Sequence, residues 1–211
     1  MTPRSAAVDG LAARLEGLNL YLVGMMGTGK SAAGRPLAEA LGYRFIDADQ
    51  VVEQAAGRPI PEIFEHEGEE GFRDLETAVL DRIAGWHSLV VATGGGVVTR
   101  PVNWGHLHQG VVIWLDAPAE LLLQRLRNDP TARPLLQTED PAGRLEQLLE
   151  QRRPLYAQAD LTVLQGPGES PAAVAGRVLE GLPSILRERE TPPEHPAELI
   201  DAEGQRRRSF N

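Results

Sequence analysis

A parallel β-sheet covered by helices on both faces is the fold class that this sequence predicts. Two patterns carry that expectation: short apolar runs of strand length recur along the chain, and stretches of helical periodicity separate them. The length of 211 residues adds a third, being ample for one α/β core and short for two independent ones. About five parallel strands in three layers are expected, because each helical crossover returns the chain to start the next strand in the same direction.

The elements follow in order. Residues 1–17 are an N-terminal extension with Leu11, Leu15 and Leu18 at helical spacing, and no function is assigned to it. The domain is expected to span 18–186. Its strands are read as Leu18 to Val23, Tyr43 to Ile46, Ser88 to Ala92, Val111 to Leu115 and Leu161 to Leu164, all short and rich in Val, Ile or Leu. Between them Phe72, Leu75, Val79 and Ile83 make one helical stripe, and Leu145, Leu148 and Leu149 another. Residues 49–76 read as an acid-rich helical insertion, and residues 128–141, polar with three prolines, as a mobile loop. Residues 187–211 mix proline with charge and lack periodicity, so a disordered tail is expected there.

Composition excludes several classes of function. No apolar run approaches the ~20 residues that span a bilayer, so no membrane partner is expected. The N-terminal stretch lacks the apolar core of a secretory signal, which makes the cytoplasm the default location. The absence of cysteine removes disulfides, thiolate nucleophiles and Cys-ligated zinc. A formal charge of −9 opposes a polyanion, so nucleic acid is not an expected partner, and a monomer is the default state. His106 and His108 invite a metal reading, but residues two apart on a helix point away from each other, so surface positions are expected.

The sharpest feature is Gly24-Met25-Met26-Gly27-Thr28-Gly29-Lys30-Ser31, which fits GxxxxGK[ST] between a strand and a helix. Chemistry explains the pattern. Glycines let the loop wrap with its N–H groups inward, and the helix N-terminus adds partial positive charge. Lys30 meets the outer phosphates, and the Ser31 hydroxyl suits Mg²⁺. The expected nucleotide contacts are Gly27, Thr28, Gly29, Lys30, Ser31 and Ala32. A loop of this kind serves GTPases, motor ATPases and kinases alike, so it does not name a reaction.

Further motifs narrow the choice. Asp47 and Asp49 close the second strand, Phe72-Arg73-Asp74-Leu75-Glu76 lies on a helix, and Gly94-Gly95-Gly96 follows the third strand. Arg133-Pro134-Leu135-Leu136 lies in the mobile loop, and Arg152-Arg153-Pro154-Leu155-Tyr156 precedes the last strand. This ordered set resembles shikimate kinase over about Asn19 to Leu164. The resemblance implies a nucleoside-monophosphate-kinase-like P-loop fold with a substrate-binding insertion and a lid. It implies transfer of the ATP γ-phosphoryl group to the 3-hydroxyl of shikimate, in aromatic amino-acid biosynthesis, with Mg²⁺.

Roles then carry over by resemblance. Arg73 and Arg152 would hold the shikimate carboxylate, Asp49 its hydroxyls, and Gly94, Gly95 and Gly96 would allow close backbone approach. Asp47 would support the Mg²⁺ shell beside Ser31. Arg133, on the lid, would reach the transferring phosphate beside Lys30, and Asp49 would accept the proton of the attacking hydroxyl, although alignment alone would also suffice. The adenine contact is assigned to Arg125, with Arg127 as the alternative, because the segment from Arg125 to Arg133 is about one residue longer than the family pattern.

Plainer readings exist for each residue. Asp49 would suit a helix cap and Asp47 a turn; Arg73 has Glu70 and Glu76 at helical spacing and would suit a surface ion pair. Arg152 and Arg153 would suit solvated charges before Pro154. The motif set favours function for Arg73 and Arg152, and not for Arg153. Two rivals remain at this level: a kinase for another sugar acid such as gluconate, and a non-catalytic regulatory relative that kept the fold.

Overall fold

The computed structural model describes residues 6–129 and 134–186. Arg133 and the tail 187–211 therefore lie outside the described residues.

Five parallel strands form one sheet in the order β2-β3-β1-β4-β5. They are β1 (Leu20–Val23), β2 (Arg44–Asp47), β3 (Leu89–Ala92), β4 (Val111–Asp116) and β5 (Leu161–Leu164). The central strand β1 pairs Leu20 with Val90 on one side and with Val111 on the other. Among the described residues eight α-helices connect and flank them: α1 (Ala6–Leu15), α2 (Lys30–Leu41), α3 (Ala48–Ala56), α4 (Ile60–Ala84), α5 (Pro101–Leu107), α6 (Ala119–Arg127), α7 (Pro141–Tyr156) and α8 (Pro171–Ile185). The five expected strands are all present, within one or two residues at each end.

Alternation along buried strands splits the core in two. Tyr21 and Val23, with Val91, Val112 and Trp114, face α3, α4 and α5. Leu20 and Leu22, with Val90, Ile113 and Leu115, face α1, α2 and α8. Every residue of β1, β3 and β4 is buried, which is why these segments read as unbroken apolar runs. The edge strands β2 and β5 are more exposed and correspondingly more polar. In α1, Leu11 and Leu15 are buried against the second face, and each such burial contributes about 1.5–3 kcal/mol.

Local signals place the helix ends. Asp47 caps α3, its Oδ1 accepting from the N–H groups of Asp49 and Gln50 at 3.1 and 3.4 Å. The cap is thus Asp47, while Asp49 sits inside the first turn, the reverse of the plain reading of the two acids. Ser170 caps α8 and Asp140 caps α7, each followed by proline at the first helical position. The acid-rich segment expected as one insertion is α3 plus the first part of α4, which is kinked at Gly68 (φ 72°, ψ −175°). Of the stripe on α4, Phe72, Val79 and Ile83 are buried and Leu75 is half-buried.

Candidate active site

The carboxyl ends of β1, β2 and β3 open onto a cleft of about 510 Å³. Ser31, Asp47, Asp49, Arg73, the three glycines and Arg152 all line it. These residues come from five segments of the chain, which meet here because parallel strands point the same end of each crossover to one side of the sheet.

One wall is the glycine loop from Gly24 to Gly29, between β1 and α2. Gly24 (φ 140°) passes so near β4 that a Cβ there would stand 2.4 Å from the Leu115 carbonyl. Gly29 (φ 76°) adopts the left-handed conformation just before α2, where no side chain caps the helix. The N-terminus of α2 thus carries no side-chain cap, which suits an anion site. Lys30 is enclosed, its Nζ donating to the carbonyls of Gly24 and Met25 at 2.8 and 3.0 Å. The Ser31 hydroxyl donates to Asp47 Oδ2 at 2.5 Å, so the residue expected beside the serine is in contact with it.

The opposite wall carries two buried arginines. Arg73 is 4 % exposed and donates to Glu76 at 2.7 Å and to Glu69 at 3.1 Å. Glu69 and Glu76 are its partners, whereas Glu70 pairs with Arg100 and lies on another side of the helix. The surface ion pair expected on the plain reading is thus a buried one. Arg152 donates to the Gly95 carbonyl at 3.3 Å, and Tyr156 donates to the same oxygen at 2.5 Å. α7 continues through Pro154 to Tyr156, whose ring is stacked on Trp114, so tertiary packing overrides the helix-breaking signal. Arg153, one residue on, points away and pairs with Asp116 at 3.0 Å, in keeping with a structural role.

Gly94, Gly95 and Gly96 sit between the two walls, and each is small for a stated reason. A Cβ on Gly94 would meet Glu76 Oε1 at 2.3 Å and Asp49 Oδ1 at 2.9 Å; one on Gly96 would meet the Arg73 guanidinium at 2.1 Å. The same position on Gly95 faces the Met26 N–H nitrogen at 3.3 Å. The triplet therefore touches the glycine loop on one side and the arginine wall on the other.

Sequence reasoning did not single out Glu76 as a site residue. It is 2 % exposed, and its Oε1 is buried without a hydrogen-bond partner among the described residues. Burial pushes its carboxyl above the usual range; Arg73 pulls it back, and Asp49 pushes it up. The available signal was its spacing of three residues from Arg73 on one helix face. Apolar side chains complete the cleft, with Phe64 and Phe72 in contact at a ring separation of 4.8 Å, so Phe72 serves both core and wall. Arg125 donates to the Gly27 carbonyl at 3.2 Å, which puts it at the loop, whereas Arg127 is exposed. Ala32 is exposed one residue beyond Ser31. His106 lies near Asp81 and His108 packs on Trp104; no cluster of three or more metal-ligating His, Asp or Glu side chains exists among the described residues. No described helix is long and apolar enough to cross a membrane.

Comparison with known proteins adds the following. A family model described as shikimate kinase matches residues 26–183. The shikimate kinase of Parasynechococcus marenigrum is 63% identical over 184 residues, which are 87% of this chain and 96% of that protein. A shikimate kinase of Synechococcus sp. is 62% identical over 177 residues, 84% and 90% of the respective chains. Among solved structures, shikimate kinase from Acinetobacter baumannii in complex with shikimate matches at 44% identity and a TM-score of 0.76, covering 81% of this chain and 95% of that one.

Proposed function

Because the chain belongs to the shikimate kinase family, we propose that its cleft brings ATP and shikimate together and transfers the γ-phosphoryl group to the 3-hydroxyl of shikimate, releasing ADP and shikimate 3-phosphate. That reaction is a step of aromatic amino-acid biosynthesis. The observation that carries the reading is the glycine triplet, which joins a phosphate-binding loop to two buried arginines across a few ångströms.

Each partner needs a different wall. Shikimate brings one carboxylate and three hydroxyls. Arg73 and Arg152 meet the carboxylate, and charge-assisted bonds of this kind contribute ~1.5–3 kcal/mol each, enough to hold a small anion against the acidic background of the chain. Glu76 and Tyr156 support these arginines from behind, which limits the entropy lost when substrate binds. Asp49, beside Gly94, accepts from a ring hydroxyl and orients it toward the loop; the same carboxylate is the candidate to receive its proton.

The nucleotide lies along the other wall. Its phosphates are met by the N-terminus of α2, by Gly27, Thr28, Gly29, Ser31 and Ala32, and by the Lys30 ammonium, which neutralises charge on the transferring group. Arg125 flanks the nucleotide, and Arg133 is assigned to the transferring phosphate on the strength of the sequence resemblance. The Ser31 hydroxyl, hydrogen-bonded to Asp47, is a hard oxygen donor that would suit Mg²⁺ held with the phosphates, and Asp47 would support its shell from beside Ser31. Bound there, Mg²⁺ would offset negative charge on the β- and γ-phosphate oxygens. The enzyme is proposed to act as a monomer, the default state expected from the sequence.

The test is ADP release by purified protein with shikimate, with gluconate and with no acceptor. Release that depends on shikimate and stays at background with gluconate is expected. Equal release with gluconate, or release that ignores the acceptor, would overturn the substrate assignment.

A further inference from the structure

Gln165 follows the edge strand β5, and its backbone N–H donates to the Asp116 carbonyl at 2.8 Å, extending the ladder by one residue. The side chain is 3 % exposed and is turned under the glycine loop. There its Nε2 donates to the Thr28 carbonyl at 2.8 Å, and its Oε1 accepts from Arg125 at 3.0 Å. Arg125 donates in turn to the Gly27 carbonyl at 3.2 Å. A closed ring results, running from loop to amide to guanidinium and back to loop.

A primary amide suits both ends of this position. The end facing Thr28 meets a carbonyl and must donate; the end facing Arg125 meets a cation and must accept. A carboxylate would set two acceptors against each other at Thr28, and an apolar side chain would leave two buried polar groups unpaired. The geometry has a consequence for the loop. In a trans peptide the carbonyl and the following N–H point in opposite directions, so pinning the Thr28 carbonyl toward Gln165 turns the Gly29 N–H to the other side, away from Gln165.

We propose that Gln165 is a positioning residue for the nucleotide: it holds the phosphate loop with its N–H groups directed at phosphate and holds Arg125 at the loop's edge. This inference rests on the reading of that loop as the ATP site. Arg125 lies in the last turn of α6, so the same amide links the loop, the last strand and α6.

The experiment compares Gln165→Leu, Gln165→Glu and the wild type, using ADP with Mg²⁺ as the calorimetric probe and steady-state kinetics for both substrates. Gln165→Leu is expected to weaken ADP binding and raise KM for ATP by about tenfold, with KM for shikimate within about twofold of wild type. Gln165→Glu keeps the Arg125 partner and loses the Thr28 one, so an intermediate loss of about threefold or more is expected. In an Arg125→Met background the effect of Gln165→Leu should shrink, since part of it acts through that arginine. A lowered Tm with unchanged ADP affinity, or an equal rise in both KM values, would reduce Gln165 to a packing role and overturn the proposal. If Gln165→Leu does not fold, Gln165→Glu decides alone, and wild-type ADP affinity in that variant overturns it. Failure of the wild type itself to bind ADP would instead overturn the nucleotide reading.

Discussion

Replacing Gly96 by alanine separates the carboxylate clamp from the stability of the fold. Gly96 has φ −101°, which alanine adopts without strain, so no backbone penalty is expected. The new Cβ would stand 2.1 Å from a guanidinium nitrogen of Arg73, where real contacts keep at least 3.0 Å. Arg73 must retreat by about 1 Å, a misplacement of the size that costs on the order of 10² in a positioned site. A side chain as long as arginine can yield, so the strain falls on its pairing with Glu76 and not on the backbone. Loss of one charge-assisted bond to the shikimate carboxylate, worth ~1.5–3 kcal/mol, corresponds to roughly a 10- to 150-fold rise in KM for shikimate. The stability cost should stay near 1–2 kcal/mol, because the ion pair is displaced and not deleted. Steady-state kinetics with each substrate varied in turn, together with thermal unfolding, measure both quantities. Wild-type KM for shikimate, or an equal rise in KM for ATP, would refute the assignment of Arg73 to the shikimate carboxylate.

Three further outcomes follow from the same geometry. Lys30→Met should lower kcat by at least about 10² while leaving the protein folded; near-wild-type turnover would show that the loop does not handle the transferring phosphate. Arg152→Ala should weaken shikimate binding by roughly tenfold or more and leave ATP binding within about twofold, as titration of each ligand would reveal; equal losses would mean that the carboxylate site lies elsewhere. Burial pushes the Tyr156 hydroxyl from 10.0 up to about 12, against the pull of Arg152. A raised folded pKa means that its contribution is fully present below the unfolded value of 10.0 and is lost as pH rises through about 12. Tyr156→Phe should therefore cost about 1 kcal/mol at neutral pH, for the bond to Gly95, and flatten the alkaline fall in stability between those values. Denaturant titrations at a series of pH values would expose the opposite result, an unchanged alkaline limb.

What the sequence determined by itself is what depends on neighbours along the chain. A strand buried on both faces needs an apolar run, a helix needs a repeat of 3.6, and a phosphate loop needs glycines where φ turns positive. The strands, the glycine loop and the order of the motifs were legible for that reason. The pairing of side chains was not. Nothing local says that Asp47 rather than Asp49 caps α3, because both acids suit the position and only the backbone path chooses between them. Arg73 has acids on several sides at helical spacing, and packing alone decided that Glu69 and Glu76 share its buried face while Glu70 turns to Arg100. Gln165 reads in the sequence as one polar residue after a strand. Its partner Thr28 is 137 positions away, and the two meet only because the order β2-β3-β1-β4-β5 brings the end of β5 alongside the loop that follows β1. Such a contact arises only from the closing of long crossovers, and it is buried once they close. A buried amide then stabilises the one arrangement in which both of its ends are bonded.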